Sequence, residues 1–212
     1  MLIHLVNLFV KITAWPVQFA CFRTKVLYED KADQSRRIKG GAVIISNHTS
    51  VFDYAVMLFV FAGRVLRYQM AELLFEKKPL GSLLRGLGGI RVDRNNYDFS
   101  FMAESEDIIR KGGVVGIFPE GRLPRPGEES PLPFRPSAAY LAISTNAPII
   151  PVFTNGSYFN KNRAVVIIGK KMYAKDLIDP ASGDKDNIAR VTEAMRDKIC
   201  SLKKEYDELS VL

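Results

Sequence analysis

Residues 41–53 read GAVIISNHTSVFD and bring together two side-chain types that move protons. An apolar run leaves Gly40-Gly41 and stops at Ser46-Asn47-His48, with Asp53 five residues beyond the histidine. His48 is one of only 2 histidines in the chain. A carboxylate that accepts a hydrogen bond from one imidazole nitrogen fixes the tautomer and leaves the other nitrogen basic. In a continuous helix the two residues would lie about 140° apart, so they meet only if the stretch begins as a turn. Asn47, Thr49 and Ser50 are helix-capping types, which predicts a strand-to-helix corner that projects His48 while Asp53 reaches back. The chain contains no G-x-S-x-G elbow, so a serine nucleophile has little support and the pair would act on a hydroxyl of a bound substrate. Alone, the spacing also describes a structural histidine satisfied by its neighbour.

Three further stretches carry chemistry-bearing side chains at the ends of short apolar runs. Gly88-Gly89-Ile90-Arg91-Val92-Asp93-Arg94 sets glycines before such a run and cations around its end. Phe118-Pro119-Glu120-Gly121-Arg122 ends another with an acid, a flexible glycine and an arginine. Ile150-Pro151-Val152-Phe153-Thr154-Asn155-Gly156 is a third that stops in a turn. Arginine forks suit phosphate oxygens, and glycine lets the backbone approach them. Singly, each has a plain alternative: Arg91 and Arg94 as solvated charges, Glu120 as a surface partner of Arg122, the proline-bearing run as core.

The elements that must position these residues alternate. Short runs at Ala42–Ile45, Val65–Met70, Gly89–Val92, Val114–Phe118, Ile149–Phe153 and Val165–Ile168 read as strands. Helical patterns fall around 54–62, 97–111 and 136–146, and Ile188, Val191, Met195, Ile199, Leu202, Tyr206 and Leu209 mark a final amphipathic helix. The fold class expected is α/β, a mixed β-sheet flanked by helices, with ligand sites where strand ends meet loops. The 212 residues fit one catalytic domain, 40–212, after an N-terminal segment, 1–39. Cys21 and Cys200 suggest neither a disulfide framework nor a metal cluster.

The N-terminal segment stands apart. Residues 1–22 hold 16 apolar positions, while His4, Asn7, Lys11 and Gln18 fall within roughly 60° on a helical wheel. Lys11 near the midpoint and Pro16 argue against a simple spanning helix, and a clear signal-peptide pattern is lacking. Residues 23–39 follow with 6 basic and 3 acidic side chains. The expectation is an interfacial membrane-docking helix beside anionic head groups; the alternative is a helix packed on the domain's own core. The net charge of +7 favours anionic partners: phosphates, an acidic carrier protein, anionic lipid or nucleic acid. Nucleic acid is disfavoured, because there is no recognised motif, no long basic stripe and no aromatic platform interleaved with cations.

Taken in order, the four stretches resemble the glycerophospholipid acyltransferase family, the group that includes 1-acylglycerol-3-phosphate acyltransferases. Asn47, His48 and Asp53 match its N-H-x-x-x-x-D motif. Gly88, Ile90, Asp93 and Arg94 match G-x-I-x-x-D-R, Phe118 through Gly121 match F-P-E-G, and Ile150-Pro151 match the apolar fourth motif. The resemblance implies His48 as the general base on a glycerol hydroxyl, Asp53 as its orienting partner, and direct attack on an acyl thioester without an acyl-enzyme, cofactor or metal. It implies substrate binding by Arg94, Glu120, Gly121 and Arg122. Backbone amides after His48 or near Gly121 are the candidates for stabilising the oxyanion. The family commonly continues F-P-E-G-T-R; here Arg122 stands at the threonine and Leu123 at the arginine, so Arg122 or Arg125 would carry the charge. Arg135, where relatives often carry a lysine after phenylalanine, would bind acceptor phosphate or donor, or flank a helix.

The implied reaction acylates 1-acylglycerol 3-phosphate to phosphatidate at the cytoplasmic face of the cell membrane. Glycerol 3-phosphate and other lysophospholipids are alternative acceptors, and the donor is an acyl-CoA or an acyl carrier protein thioester. The competing classes are a non-catalytic peripheral membrane protein and a lipid esterase that uses water. In a cytosol-facing enzyme the sequons Asn47-His48-Thr49 and Asn155-Gly156-Ser157 are chance matches.

Overall fold

The computed structural model describes residues 1–31, 34–93, 99–159 and 161–210. In chain order its elements are α1 (Leu2–Thr13), α2 (Trp15–Cys21), β1 (Lys25–Tyr28), β2 (Ala42–Ser46), α3 (Asp53–Val60), β3 (Leu66–Ala71), α4 (Leu73–Glu76), α5 (Leu80–Leu87), β4 (Ile90–Val92), α6 (Ser100–Arg110), β5 (Val114–Ile117), α7 (Ser137–Thr145), β6 (Ile149–Thr154), β7 (Val165–Ile168) and α8 (Asp184–Ser210). The seven strands form one sheet in the order β1-β7-β6-β2-β5-β3-β4. Every neighbouring pair is parallel except β6 with β7, so the sheet is mixed, as expected.

Parallel strands linked by helices are covered on both faces, which is why β2 reads as an unbroken apolar run and is buried along its whole length. Its alternate residues feed two cores. Ala42 and Ile44 join α3, α5 and the exit from α2, whereas Val43 and Ile45 join α6, α7 and α8. Gly116 in β5 lies where an added Cβ would meet the Tyr68 ring at 2.2 Å, so the sheet opens there to seat a tyrosine. β6, β2 and β5 are adjacent and parallel, which brings the segments after Thr154, Ser46 and Ile117 to one sheet edge.

All six strands read from the sequence are present, and the structure adds one. Residues 25–28, which the sequence assigns to a basic linker, form edge strand β1, in register with β7 from Lys25↔Val165 to Tyr28↔Ile168. The short α4 and α5 between β3 and β4 are also additions. Their signal is compressed into 4 and 8 residues and interrupted by Pro79.

The N-terminal segment is two helices bent by 50°, not one. Pro16 cannot donate to the preceding turn and its ring displaces the carbonyl there, so the axis breaks at Ala14. Of the polar stripe, Asn7, Lys11 and Gln18 point inward, while His4 is exposed. Asn7 is 2% exposed and donates to the Leu87 carbonyl at 3.0 Å, at the end of α5. Gln18 donates to Thr24 Oγ1 at 3.0 Å. Lys11 Nζ donates to the carbonyls of Ala62 and Arg64, at 3.0 and 2.6 Å, beyond the C-terminus of α3. That is the end of a helix at which a cation is favoured. Burial holds the Lys11 pKa below the usual lysine value. The apolar face turns outward: Leu5, Leu8, Phe9, Ile12, Trp15, Val17 and Phe19 are all exposed, Phe19 to 73%. No single helix is long and apolar enough to cross a membrane, although α1 and α2 together pass that test by length and composition.

Candidate active site

At the end of β2 the chain leaves the sheet at Asn47, whose amide bridges to the neighbouring strand. Its Nδ2 donates to the Thr154 carbonyl and its Oδ1 accepts from the Thr154 amide, each at 2.8 Å. A buried asparagine thus continues the β2–β6 ladder by one side-chain step. Residues 48–52 then form a turn and α3 begins only at Asp53. Asn47, Thr49 and Ser50 are not the helix caps that their types suggest. Asp53, in the first turn of α3, reaches back instead and gathers the turn around its carboxylate.

Asp53 is fully buried and its oxygens are crowded with donors. Oδ2 accepts from the amides of Thr49 and Ser50 at 2.7 and 2.9 Å and lies 2.9 Å from His48 Nδ1. Oδ1 accepts from Thr49 Oγ1 at 3.1 Å and from the Tyr158 hydroxyl at 2.6 Å. This donor set lets a carboxylate remain charged without water. The His48 side chain is 20% exposed, and among the described residues Nε2 has no hydrogen-bond partner. The Asp53 contact assigns the ring proton to Nδ1 and leaves Nε2 as the basic nitrogen. Phe118 lies parallel to the imidazole, with centroids 4.2 Å apart and planes 10° apart, and blocks rotation of the ring. This arrangement can accept a proton from a hydroxyl placed at Nε2 and return it to a leaving group.

The other expected site residues fall in different places. Glu120, expected to touch substrate, is 3% exposed and occupied by the protein itself. Its Oε1 accepts from the His48 amide and Ser130 Oγ, and its Oε2 from the Leu132 amide, all at 2.8 Å. It pins the turn after β2 to the loop after β5. Gly121 has φ +71°, a backbone conformation that favours glycine, and an added Cβ would stand 2.6 Å from Arg135 Nε and displace that side chain. Arg135 lies across it, exposed, with no ion-pair partner among the described residues. Arg122 is directed elsewhere: its guanidinium grips Glu128 in a fork, at 2.5 and 2.9 Å, in an exposed loop. That contact, with the Arg125 amide, holds the Glu128 carboxyl down to about 2. Arg94 lies outside the described residues.

Several of the expected oxyanion donors are engaged. The amides of His48, Thr49 and Ser50 are bonded to carboxylates, and that of Gly121 to the Phe118 carbonyl at 3.0 Å. Reading the sequence did not single out Thr154 or Tyr158 as site residues. The only trace of them was the turn signal of Asn155-Gly156 after a strand. No three His, Cys, Asp or Glu side chains gather as a metal site among the described residues.

Beyond Phe118 lies an elongated cavity of about 1240 Å³, lined by Val92, Phe99, Met102, Ile117, Phe134 and Ile188 among others. Arg135 and Lys185 are the cations on its wall. Phe118 is shared: one face covers the imidazole and its edge lines the cavity.

Residues 25–155 match the family model for acyltransferases. The chain belongs to the acyltransferase family. A 1-acyl-sn-glycerol-3-phosphate acyltransferase of Bacillus subtilis is 29% identical over 174 residues, covering 80% of this chain and 84% of that protein. The human beta form of the same enzyme is 35% identical over 127 residues, 57% of this chain and 44% of the human protein. The crystal structure of the 1-acyl-sn-glycerophosphate acyltransferase PlsC of Thermotoga maritima superposes with a TM-score of 0.65 over 95% of this chain and 79% of that one, at 19% identity. That likeness shows the fold, and the family makes the chain an O-acyltransferase.

Proposed function

We propose that this acyltransferase moves an acyl group from a thioester to the free hydroxyl of 1-acylglycerol 3-phosphate and produces phosphatidate. The names of its relatives support the acceptor. The observation that carries the mechanism is the 2.9 Å contact of His48 Nδ1 with a buried, fully coordinated Asp53, beside an imidazole nitrogen without a partner among the described residues. His48 Nε2 takes the proton of the acceptor hydroxyl as its oxygen attacks the thioester carbonyl. Collapse of the tetrahedral intermediate expels the thiolate, which takes the same proton from His48 and leaves as a thiol. Asp53 holds the tautomer and stabilises the imidazolium.

The cavity beyond Phe118 fits the acyl chain of the donor, because its apolar wall ends on the residue that covers His48. Arg135 and Lys185 complement the phosphates of a CoA donor or the acidic surface of a carrier protein. The acceptor comes from a membrane. Among the described residues the outward apolar face of α1 and α2 stays largely uncovered, with Trp15 edge-on to Phe59, and residues 23–39 supply cations for anionic head groups. Exposed Val51, Phe52 and Phe159 extend that surface toward the dyad: Phe159 lies 4.7 Å from Phe52 and 5.1 Å from Phe22, centroid to centroid, and Phe22 directly follows α2. A cytoplasmic face for the docked enzyme follows from its acyl donors.

Lipid mass spectrometry on purified protein with anionic vesicles tests this reading. The mixture offers an acyl-CoA, an acyl carrier thioester, glycerol 3-phosphate, lysophosphatidate and other lysolipids, with His48→Ala run alongside. Phosphatidate made from lysophosphatidate by the wild type alone is the expected result. Acylation of another lysolipid replaces the acceptor and keeps the reaction. Free fatty acid released without any acceptor makes the protein an esterase.

A further inference from the structure

Behind the His48–Asp53 contact lies a relay of hydroxyls that runs in one direction. The Gly156 amide donates to Thr154 Oγ1 at 3.3 Å, Thr154 Oγ1 lies 2.9 Å from the Tyr158 hydroxyl, and Tyr158 donates to Asp53 Oδ1 at 2.6 Å. Asp53 ends the series, because an ionised carboxylate only accepts, so Tyr158 must donate to it and Thr154 to Tyr158. Thr154 is held on the sheet by the two hydrogen bonds of Asn47, and Gly156 presses so near Thr49 that an added Cβ would lie 2.5 Å from Thr49 Oγ1. The relay is therefore anchored at both ends by segments that leave adjacent strands.

We propose that Tyr158 is a positioning residue of the dyad: its hydroxyl fixes the rotation of the Asp53 carboxylate so that Oδ2 faces His48 Nδ1. The proposal rests on the reading of His48 and Asp53 as the acyl-transfer dyad. The physical argument is one of competition. Asp53 sits at the start of α3 with its side chain reversed over the turn, and Oδ2 is shared by two amides and the imidazole. Without a strong donor on Oδ1, rotation about the carboxylate axis exchanges the oxygens and leaves the imidazole contact longer and poorly aligned. Thr49 Oγ1 alone supplies a longer bond to Oδ1, 3.1 Å against 2.6 Å.

Tyr158 suits this role. Burial, then the charge of Asp53, pushes its pKa well above the usual tyrosine value, so it donates throughout the working range. Its ring packs edge-on to Phe22 at 5.4 Å, so phenylalanine can replace it without loss of packing. The other titratable groups facing the dyad are Glu120, on the His48 amide, and Tyr54 and Tyr68 of α3 and β3. Burial keeps both of those tyrosines protonated, and Tyr158→Phe alters none of the three.

The test compares full-length wild type, Tyr158→Phe, Thr154→Val, Thr154→Ser and His48→Ala on vesicles, with kcat and KM measured across pH and unfolding midpoints measured in parallel. Tyr158→Phe is expected to lower kcat about tenfold with KM for donor and acceptor unchanged within about twofold, and to move the acid limb of the profile to lower pH, because a longer Asp53 contact stabilises the imidazolium less. Thr154→Val should shift both in the same direction by less, about threefold in kcat, and Thr154→Ser should restore wild-type behaviour. A Tyr158→Phe enzyme that keeps the wild-type kcat and pH profile, or that loses only KM, overturns the proposal while an inactive His48→Ala leaves the dyad standing. An active His48→Ala overturns both.

Discussion

Two regions of this molecule depart from the usual distribution of polar and apolar groups, and they do so in opposite senses. Around the dyad, charge is buried: Asp53 and Glu120 lie inside, and every carboxylate oxygen has a protein donor. Along α1 and α2, apolar surface is exposed while most of the polar stripe packs. The first departure is compensated within the chain. The second is not, and isolated exposed residues do not account for eight large apolar side chains on two consecutive helices. Internal compensation accompanies the dyad proposed to react, and its absence accompanies the face proposed to dock on a membrane.

The comparison can be broken at either end. The largest effect is expected from Asp53→Asn, which turns an acceptor-only group into one that presents N–H to buried donors. Activity should fall about a thousandfold, and unfolding should become easier by about 3 kcal/mol, read by steady-state kinetics and denaturant melts. Phe9→Ser, Ile12→Ser and Phe19→Ser together should abolish co-sedimentation with anionic vesicles yet leave the unfolding midpoint near that of the wild type, because those side chains contact little of the protein. A large loss of stability in that triple variant would mean that the outward face packs on something within the chain.

Glu120→Gln is intermediate. It replaces one of the oxygens that hold His48 and Leu132 and should cost about 1–3 kcal/mol in stability, with kcat reduced through displacement of His48. A selective rise in KM for the acceptor, with stability unchanged, would return Glu120 to substrate binding. Lys11→Met should cost about 1 kcal/mol by leaving the carbonyls of Ala62 and Arg64 unsatisfied, without loss of vesicle binding. The smallest effect belongs to Phe52→Ser with Phe159→Ser: about a threefold loss on acceptor in vesicles and none on a dispersed short-chain acceptor.

β2, β5, β6 and β7 were legible in the sequence because they are almost wholly buried and so read as nearly continuous apolar runs, whereas β3 and β4 interrupt theirs with Arg67, Gln69 and Arg91. The His48–Asp53 contact was legible through spacing and residue type. β1 escaped notice because it is a four-residue edge strand within a charged stretch, where lysine and tyrosine obscure the apolar signal. The direction of the polar stripe could not be read at all, since the 3.6-residue periodicity separates a polar face from an apolar one without saying which of them meets the protein. Glu120 was misdirected for a related reason: a carboxylate after a strand looks the same in sequence whether it faces solvent or a backbone amide. Tyr158 lies 105 residues from Asp53, and only the adjacency of β6 and β2 brings them together.

The measurement that tests the account most directly is phosphatidate formation by wild type, His48→Ala and the Phe9, Ile12, Phe19 triple-serine variant. Each would be assayed with lysophosphatidate in anionic vesicles and with a short-chain acceptor dispersed in solution. The account predicts that His48→Ala makes no product in either form, while the triple variant fails on vesicles and keeps wild-type turnover on the dispersed acceptor. Product from His48→Ala, or equal losses on both acceptors by the triple variant, would contradict it.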